Sequence, residues 1–159
     1  RLIKNSKNRI PYGVDLIQKY RRESWIVFTE NKKQAKEFNK IINTKGFKSA
    51  LYNTDLDSGE RLENLNKFKK ADLNVLVTCT ALDEGFDMPE ADGALILSAS
   101  SSKRQRVQRM GRVLRITENK PNALIVTVYS SKTEFDKLME EAKRYHKEGV
   151  PVSWKRQDR

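Results

Sequence analysis

The sequence predicts a three-layer α/β domain with a mostly parallel central sheet flanked by helices, and three observations carry that expectation. Five short runs rich in β-forming apolar residues are spread along the chain, and the strongest are apolar throughout. Strands buried on both faces look like that, whereas a half-exposed sheet alternates. Between several of them lie stretches whose apolar residues recur every three or four positions, the period of an amphipathic helix. The 159 residues suit one domain with a real core, and alternating strands and helices point to helices on both faces of the sheet.

Val14, Leu16, Ile17 and Tyr20 predict a leading helix. Trp25 to Thr29 (WIVFT) reads as the first strand, with charge on either side. Ala35, Phe38, Ile41 and Ile42 mark the next helix, which Gly46 is placed to stop. Ser49 to Asn53 is a weaker strand. Ser58 is then expected as an N-cap, and Leu62, Leu65 and Phe68 as one helix face. Asn74 to Thr78 (NVLVT) and Gly93 to Leu97 (GALIL) read as buried strands, and Ala123 to Tyr129 (ALIVTVY) is the strongest run. Phe135, Leu138, Met139 and Ala142 predict a closing helix that ends before Gly149 and Pro151. The expected division is a basic segment with its leading helix at 1–24, the domain proper at 25–147, and a basic tail at 148–159.

Composition narrows the chemistry. A net charge of +11 favours an anionic partner. The excess is concentrated: residues 1–24 carry +5 and residues 143–159 carry +4, while 101–115 hold six bases and no acid. Cys79 and His146 are each the single residue of their type, which excludes a disulfide framework and Cys or His metal clusters. Cys79, inside an apolar run, reads as a small core residue. No apolar stretch approaches the roughly 20 residues of a membrane span. The chain opens on Arg1 in a basic stretch with no signal peptide, which reads as a piece of a longer, intracellular protein.

In parallel sheets, ligands sit beyond the carboxyl ends of the strands, which directs attention to residues 29–31, 53–57, 78–87 and 98–103. The acidic pair Asp83-Glu84 invites a Walker B reading. It lies five residues past Thr78, and no glycine heads a G-x-x-x-x-G-K-[ST] loop, so that reading fails. What remains is T-x-x-x-x-G-x-D over Thr80 to Asp87. Gly85 permits a backbone turn closed to other residues. Asp87 can accept from a ribose hydroxyl, and the Thr80 hydroxyl can meet a nucleic-acid phosphate. The same residues would also serve as a plain strand-to-helix turn with Asp87 as its cap. Further on, Gln108 to Arg115 has the form Q-x-x-G-R-x-x-R. If helical, it puts Arg112 and Arg115 on one face, where two guanidiniums suit a triphosphate. A solvated basic helix would look similar.

Order separates these readings. The first segment resembles motif V of superfamily 2 helicases and the second resembles motif VI, with one strand and a serine-rich loop (Ser98 to Ser102) between them, as in that family. Trp25 to Asn31 resembles motif IV, and Asn53 to Phe68 resembles the block that follows it. The resemblance runs from about Trp25 to Tyr129. It is to the C-terminal, second RecA-like domain of superfamily 2 helicases, and Gln108, where RNA-acting DEAD-box proteins usually have His, leans toward the XPB-type and related DEAD/DEAH box DNA enzymes.

Several expectations follow from the resemblance. The cofactor is ATP with Mg²⁺, the metal held by a first lobe that this chain lacks. Arg115 would be the arginine finger with Arg112 beside it, both catalytic; Gly85, Asp87 and Gln108 would bind ATP, with Asp87 at the ribose and Gln108 between the lobes. Thr29, Asn53 and Thr80 would hold the nucleic-acid backbone. The implied partners are nucleic acid, DNA favoured over RNA, and the N-terminal RecA-like lobe of the same protein, with no membrane. The isolated chain should not hydrolyse ATP. The alternatives are a non-catalytic RecA-like module that binds nucleic acid or protein, and the motor part of a restriction-type nuclease.

Overall fold

The computed structural model describes residues 9–79, 90–98, 124–129, 131–147 and 153. In chain order these give α1 (Arg9–Lys19), β1 (Trp25–Phe28), α2 (Lys32–Thr44), β2 (Ser49–Leu51), α3 (Ser58–Lys69), β3 (Val75–Thr78), β4 (Gly93–Ile96), β5 (Leu124–Thr127) and α4 (Lys132–Lys147). The five strands form one sheet in the order β2-β3-β1-β4-β5, and every pairing in it is parallel. All five apolar runs are therefore strands, and their carboxyl ends lie along one edge.

Strand order decides which face each helix covers. The chain moves outward from β1 to β2 through α2, then back to β3 through α3. Right-handed crossovers in opposite directions place those helices on opposite faces. The core divides accordingly. Ile10, Val14 and Ile17 of α1 pack with Ala35, Phe38 and Ile42 of α2 on Trp25, Val27, Val75, Val77 and Leu95. Leu65 and Phe68 of α3 pack on Ile26, Phe28, Leu76, Ala94 and Ile96. Successive strand residues thus feed alternate layers, which is why the runs had to be apolar throughout. Two glycines make room for this packing. A Cβ at Gly13 would stand 2.9 Å from Leu97 Cδ2, and one at Gly93 would stand 2.7 Å from Trp25 Cε3.

Helix ends follow local chemistry, with two departures from expectation. In α2 the Asn31 side chain accepts from the Gln34 amide at 2.8 Å, and the Gln34 side chain accepts from the Glu30 amide at 2.7 Å. This is a reciprocal cap of the kind that closes a helix start. Gly46, at φ +87°, follows the end of α2 in a conformation that suits glycine. At α3 the cap is Asp57 rather than Ser58: its carboxylate accepts from the Glu60 amide at 2.8 Å. A carboxylate favours the positive end of the helix dipole more than a hydroxyl does.

The second departure is Leu62, expected on the buried face of α3 and found 57% exposed. The inward face of α3 is formed by Leu65 and Phe68 with the half-buried Arg61 and Asn64, the latter donating to the Leu51 carbonyl of β2 at 2.9 Å. At about 3.6 residues per turn Leu62 falls to the side of that face. At the other side β5 ends the sheet, and Ile125 is 38% exposed there, so its apolar sequence overstates its burial.

Helix α4 carries a feature that periodicity does not announce. Among its described side chains Glu134, Leu138 and Glu141 are buried, while Phe135, Met139 and Ala142 are half-buried. Phe135 lies against Tyr129 with ring centroids 5.2 Å apart. Glu134 meets Arg9 of α1 in a pair that is fully enclosed: Arg9 Nη1 and Nη2 donate to the two carboxylate oxygens at 2.9 and 3.0 Å.

Candidate functional site

The carboxyl edge gathers a set of buried polar side chains. Thr29 follows β1, Asn53 follows β2, Thr78 ends β3 and Ser98 lies beyond β4, and all four are essentially enclosed. Each is tied to a neighbouring strand. The Thr29 amide donates to the Thr78 carbonyl at 2.9 Å, and its hydroxyl lies within reach of the carbonyls of Thr78 and Asn31, at 3.3 and 3.2 Å. The Thr78 hydroxyl donates to the Tyr52 carbonyl at 2.6 Å. The Asn53 carboxamide oxygen accepts from the Cys79 amide at 3.0 Å. Thr29 and Asn53 are thus brought together around the end of β3, immediately before Thr80.

In this arrangement both predicted residues brace the main chain. The Asn53 side-chain nitrogen is buried and has no hydrogen-bond partner among the described residues. A buried donor left unpaired costs about 1–3 kcal/mol. Thr80, Gly85, Asp87, Gln108, Arg112 and Arg115 lie outside the described residues.

Three groups at this edge had no assigned role in the sequence. Glu30, directly after Thr29, accepts through its carboxylate from the Ser98 hydroxyl. Arg9 donates to the carbonyls of Leu97 and Val128 at 3.2 and 3.0 Å as well as to Glu134. The Asn31-x-x-Gln34 spacing that caps α2 was readable. The Glu30 to Ser98 and Arg9 to Glu134 contacts, spanning 68 and 125 residues, carry no local signal. At the rim, Lys36 of α2 pairs with Asp55 at 3.2 Å. The hydrogen bond from Lys36, and then the charges of Lys36 and Lys32, outweigh desolvation and hold the Asp55 carboxyl below its ordinary range.

Among the described residues, no group of three or more His, Cys, Asp or Glu side chains is placed to hold a metal ion. No helix among them is long and apolar enough to cross a membrane.

An all-parallel five-stranded sheet with helices on both faces is the architecture of a RecA-like domain. The family model for the helicase conserved C-terminal domain matches residues 8–117, and the chain belongs to that family. It is the C-terminal domain type of superfamily 2 helicases. The DNA 3'-5' translocase XPB2 of Sulfurisphaera tokodaii is 35% identical over 129 residues, which are 81% of this chain and 28% of that protein. The ATP-dependent rRNA helicase RRP3 of Scheffersomyces stipitis is 25% identical over 118 residues, 74% of this chain and 24% of that protein. This chain therefore spans about a quarter of the length of those relatives. In fold it resembles the C-terminal domain of the DEAD-box protein Dbp5, with a TM-score of 0.76 at 20% identity, covering 89% of this chain and 81% of that one.

Proposed function

We propose that this chain is the second motor lobe of an ATP-dependent superfamily 2 helicase or translocase. ATP is held between it and a first lobe that brings the phosphate-binding loop and the Mg²⁺ ligands. Arg115 reaches the γ-phosphate as the arginine finger and Arg112 lies beside it. Gln108 bridges the lobes at the nucleotide, and Asp87, turned by Gly85, faces the ribose. Thr80 meets the nucleic-acid backbone, and Thr29 and Asn53 support that grip from the strand ends they brace. Contacts of this kind go to phosphate and carry no sequence information. The chemistry needs little from this lobe beyond charge in the right place: a finger guanidinium stabilises the charge developing on the transferred phosphoryl group.

The observation that carries the reading is the extent of the family match. It runs from residue 8 to residue 117 and so takes in both T-x-x-x-x-G-x-D and Q-x-x-G-R-x-x-R in the family's order. DNA is the favoured substrate, on the side of Gln108 and of the 35% identity to a protein named as a DNA translocase. Such a lobe works inside the cell, where its nucleic acid is. The deciding experiment is Arg115→Ala in the full-length protein with nucleic acid present. Turnover should fall by about 10³-fold or more with the circular dichroism spectrum unchanged, and undiminished turnover would refute the finger.

A further inference from the structure

Two consecutive residues mark where the chain leaves β4 on its way to Gln108, Arg112 and Arg115, and each is held from elsewhere in the lobe. Leu97 is held through its carbonyl by Arg9, whose guanidinium is locked by both oxygens of Glu134 and also bonds the Val128 carbonyl beyond β5. The Leu97 amide donates to the Phe28 carbonyl at 2.8 Å. Ser98 is held through its hydroxyl by Glu30. Glu30 in turn is fixed at its amide by the Gln34 side chain at 2.7 Å, part of the cap that starts α2. The departure point is thus tied to α1, to α4 and to the first turn of α2 at once.

The two anchors differ in kind. Arg9 and Glu134 are enclosed, at 0% and 2% side-chain exposure, so removing either leaves an uncompensated charge and endangers the fold. Glu30 is only partly buried, on the same edge as the residues assigned to nucleic-acid contact. Core packing does not require an acid there, because the Ser98 hydroxyl could be served by a neutral acceptor or by water. A carboxylate gives a shorter and stronger bond than a neutral acceptor, and thus a better-defined departure point. Arg112 lies fourteen residues beyond Ser98 in sequence, and a finger contributes to rate only when its guanidinium is correctly placed.

We infer that Glu30 is a positioning residue for ATP turnover, acting through Ser98 on the placement of the segment that carries Arg112 and Arg115. The inference rests on the proposed role of those arginines. Glu30 itself touches no reacting atom.

The test uses the full-length protein and compares Ser98→Ala, Glu30→Ala, their combination, Glu30→Gln and Arg115→Ala in ATPase assays at saturating nucleic acid. Glu30→Ala and Ser98→Ala should each lower kcat by about tenfold, with KM for ATP and nucleic-acid affinity within about twofold of wild type. The double variant should be no slower than the slower single, the mark of one shared interaction. Glu30→Gln, which keeps an acceptor for Ser98, should recover most of the loss. Unchanged kcat in Ser98→Ala and Glu30→Ala, beside a collapse in Arg115→Ala, would overturn the role of Glu30 and leave the finger standing. Additive losses would also overturn it. Full turnover in Arg115→Ala would instead remove the reading beneath it. Should Glu30→Ala not fold, Ser98→Ala and Glu30→Gln decide: a slowed serine variant with a nearly normal glutamine variant supports the role, and any other pair of results refutes it.

Discussion

At the amino edge of the sheet, polar side chains tie the approaches to different strands together; at the carboxyl edge, they hold the chain where it leaves the strands. The Ser24 hydroxyl accepts from the Asp92 amide at 3.1 Å, and the Asn74 side chain accepts from the Lys48 amide at 2.8 Å. Each of these joins the approach to one strand to the approach to another, and behind them Trp25 fills the space that Gly93 leaves. At the opposite edge Thr29, Asn53, Glu30 and Arg9 grip Thr78, Cys79, Ser98 and Leu97. Those are the residues from which the two motif-bearing segments depart. The same kinds of hydrogen bond therefore serve different ends. One edge joins the approaches to neighbouring strands, and the other fixes the points from which the segments of the proposed site begin.

Substitutions at the two edges should accordingly separate stability from turnover. The largest stability effect is expected at the amino edge. Trp25 is 1% exposed, and Trp25→Ala should cost about 3–5 kcal/mol by denaturant unfolding, while turnover per folded molecule of the full-length protein is kept. A fall in turnover per folded molecule would break the contrast, because it would show the amino edge reaching the reaction.

A smaller effect, of the opposite character, is expected at Asn53. Asn53→Ala leaves the Cys79 amide without its acceptor, yet it also removes the unpaired buried nitrogen. The two changes oppose, so the net cost should be about 1 kcal/mol. Nucleic-acid affinity should fall by more than that loss of stability explains, measured on the full-length protein under conditions where the variant is folded. A destabilisation as large as that of Trp25→Ala, with affinity intact, would make Asn53 a structural residue like those of the amino edge.

Much of this fold could be read in the sequence, because parallel strands buried on both faces leave an unambiguous mark. WIVF and GALI have no polar position at which a solvent-facing side chain could stand, and VLVT has only its terminal Thr78; each run is fully buried. Ends and long-range pairs were less legible. Asp57 and Ser58 both carry a capping acceptor, so the sequence did not choose between them. Leu62 keeps the three-residue spacing to Leu65 but falls to the side of the face that Arg61, Asn64, Leu65 and Phe68 turn inward. Arg9 read only as one more base in a basic leader, since its partner lies 125 residues away. For the site, the rule that ligands gather at carboxyl ends located Thr29 and Asn53, but their enclosure depends on how β3 sits between β1 and β2. The assignments of Thr80, Gly85, Asp87, Gln108, Arg112 and Arg115 rest on the form and order of their motifs.

The smallest expected effect tests the rim of the carboxyl edge, outside both polar networks. Lys36 is largely exposed and Asp55 partly so, and a pair in that setting is weakened by water and salt. The Asp55 carboxyl sits below its ordinary range chiefly because Lys36 hydrogen-bonds to it. A carboxyl whose pKa is lowered by folding stabilises the fold at pH values above its unfolded pKa. That contribution disappears as the pH falls through the lowered value. Lys36→Ala should therefore shift the melting temperature only slightly at neutral pH and low salt. The difference from wild type should vanish in acid below the carboxylate range, and also in concentrated salt at neutral pH. A difference that survived both conditions would mean that the Lys36 stem packs against the edge, and that the rim belongs to the braces holding Asn53 and Cys79.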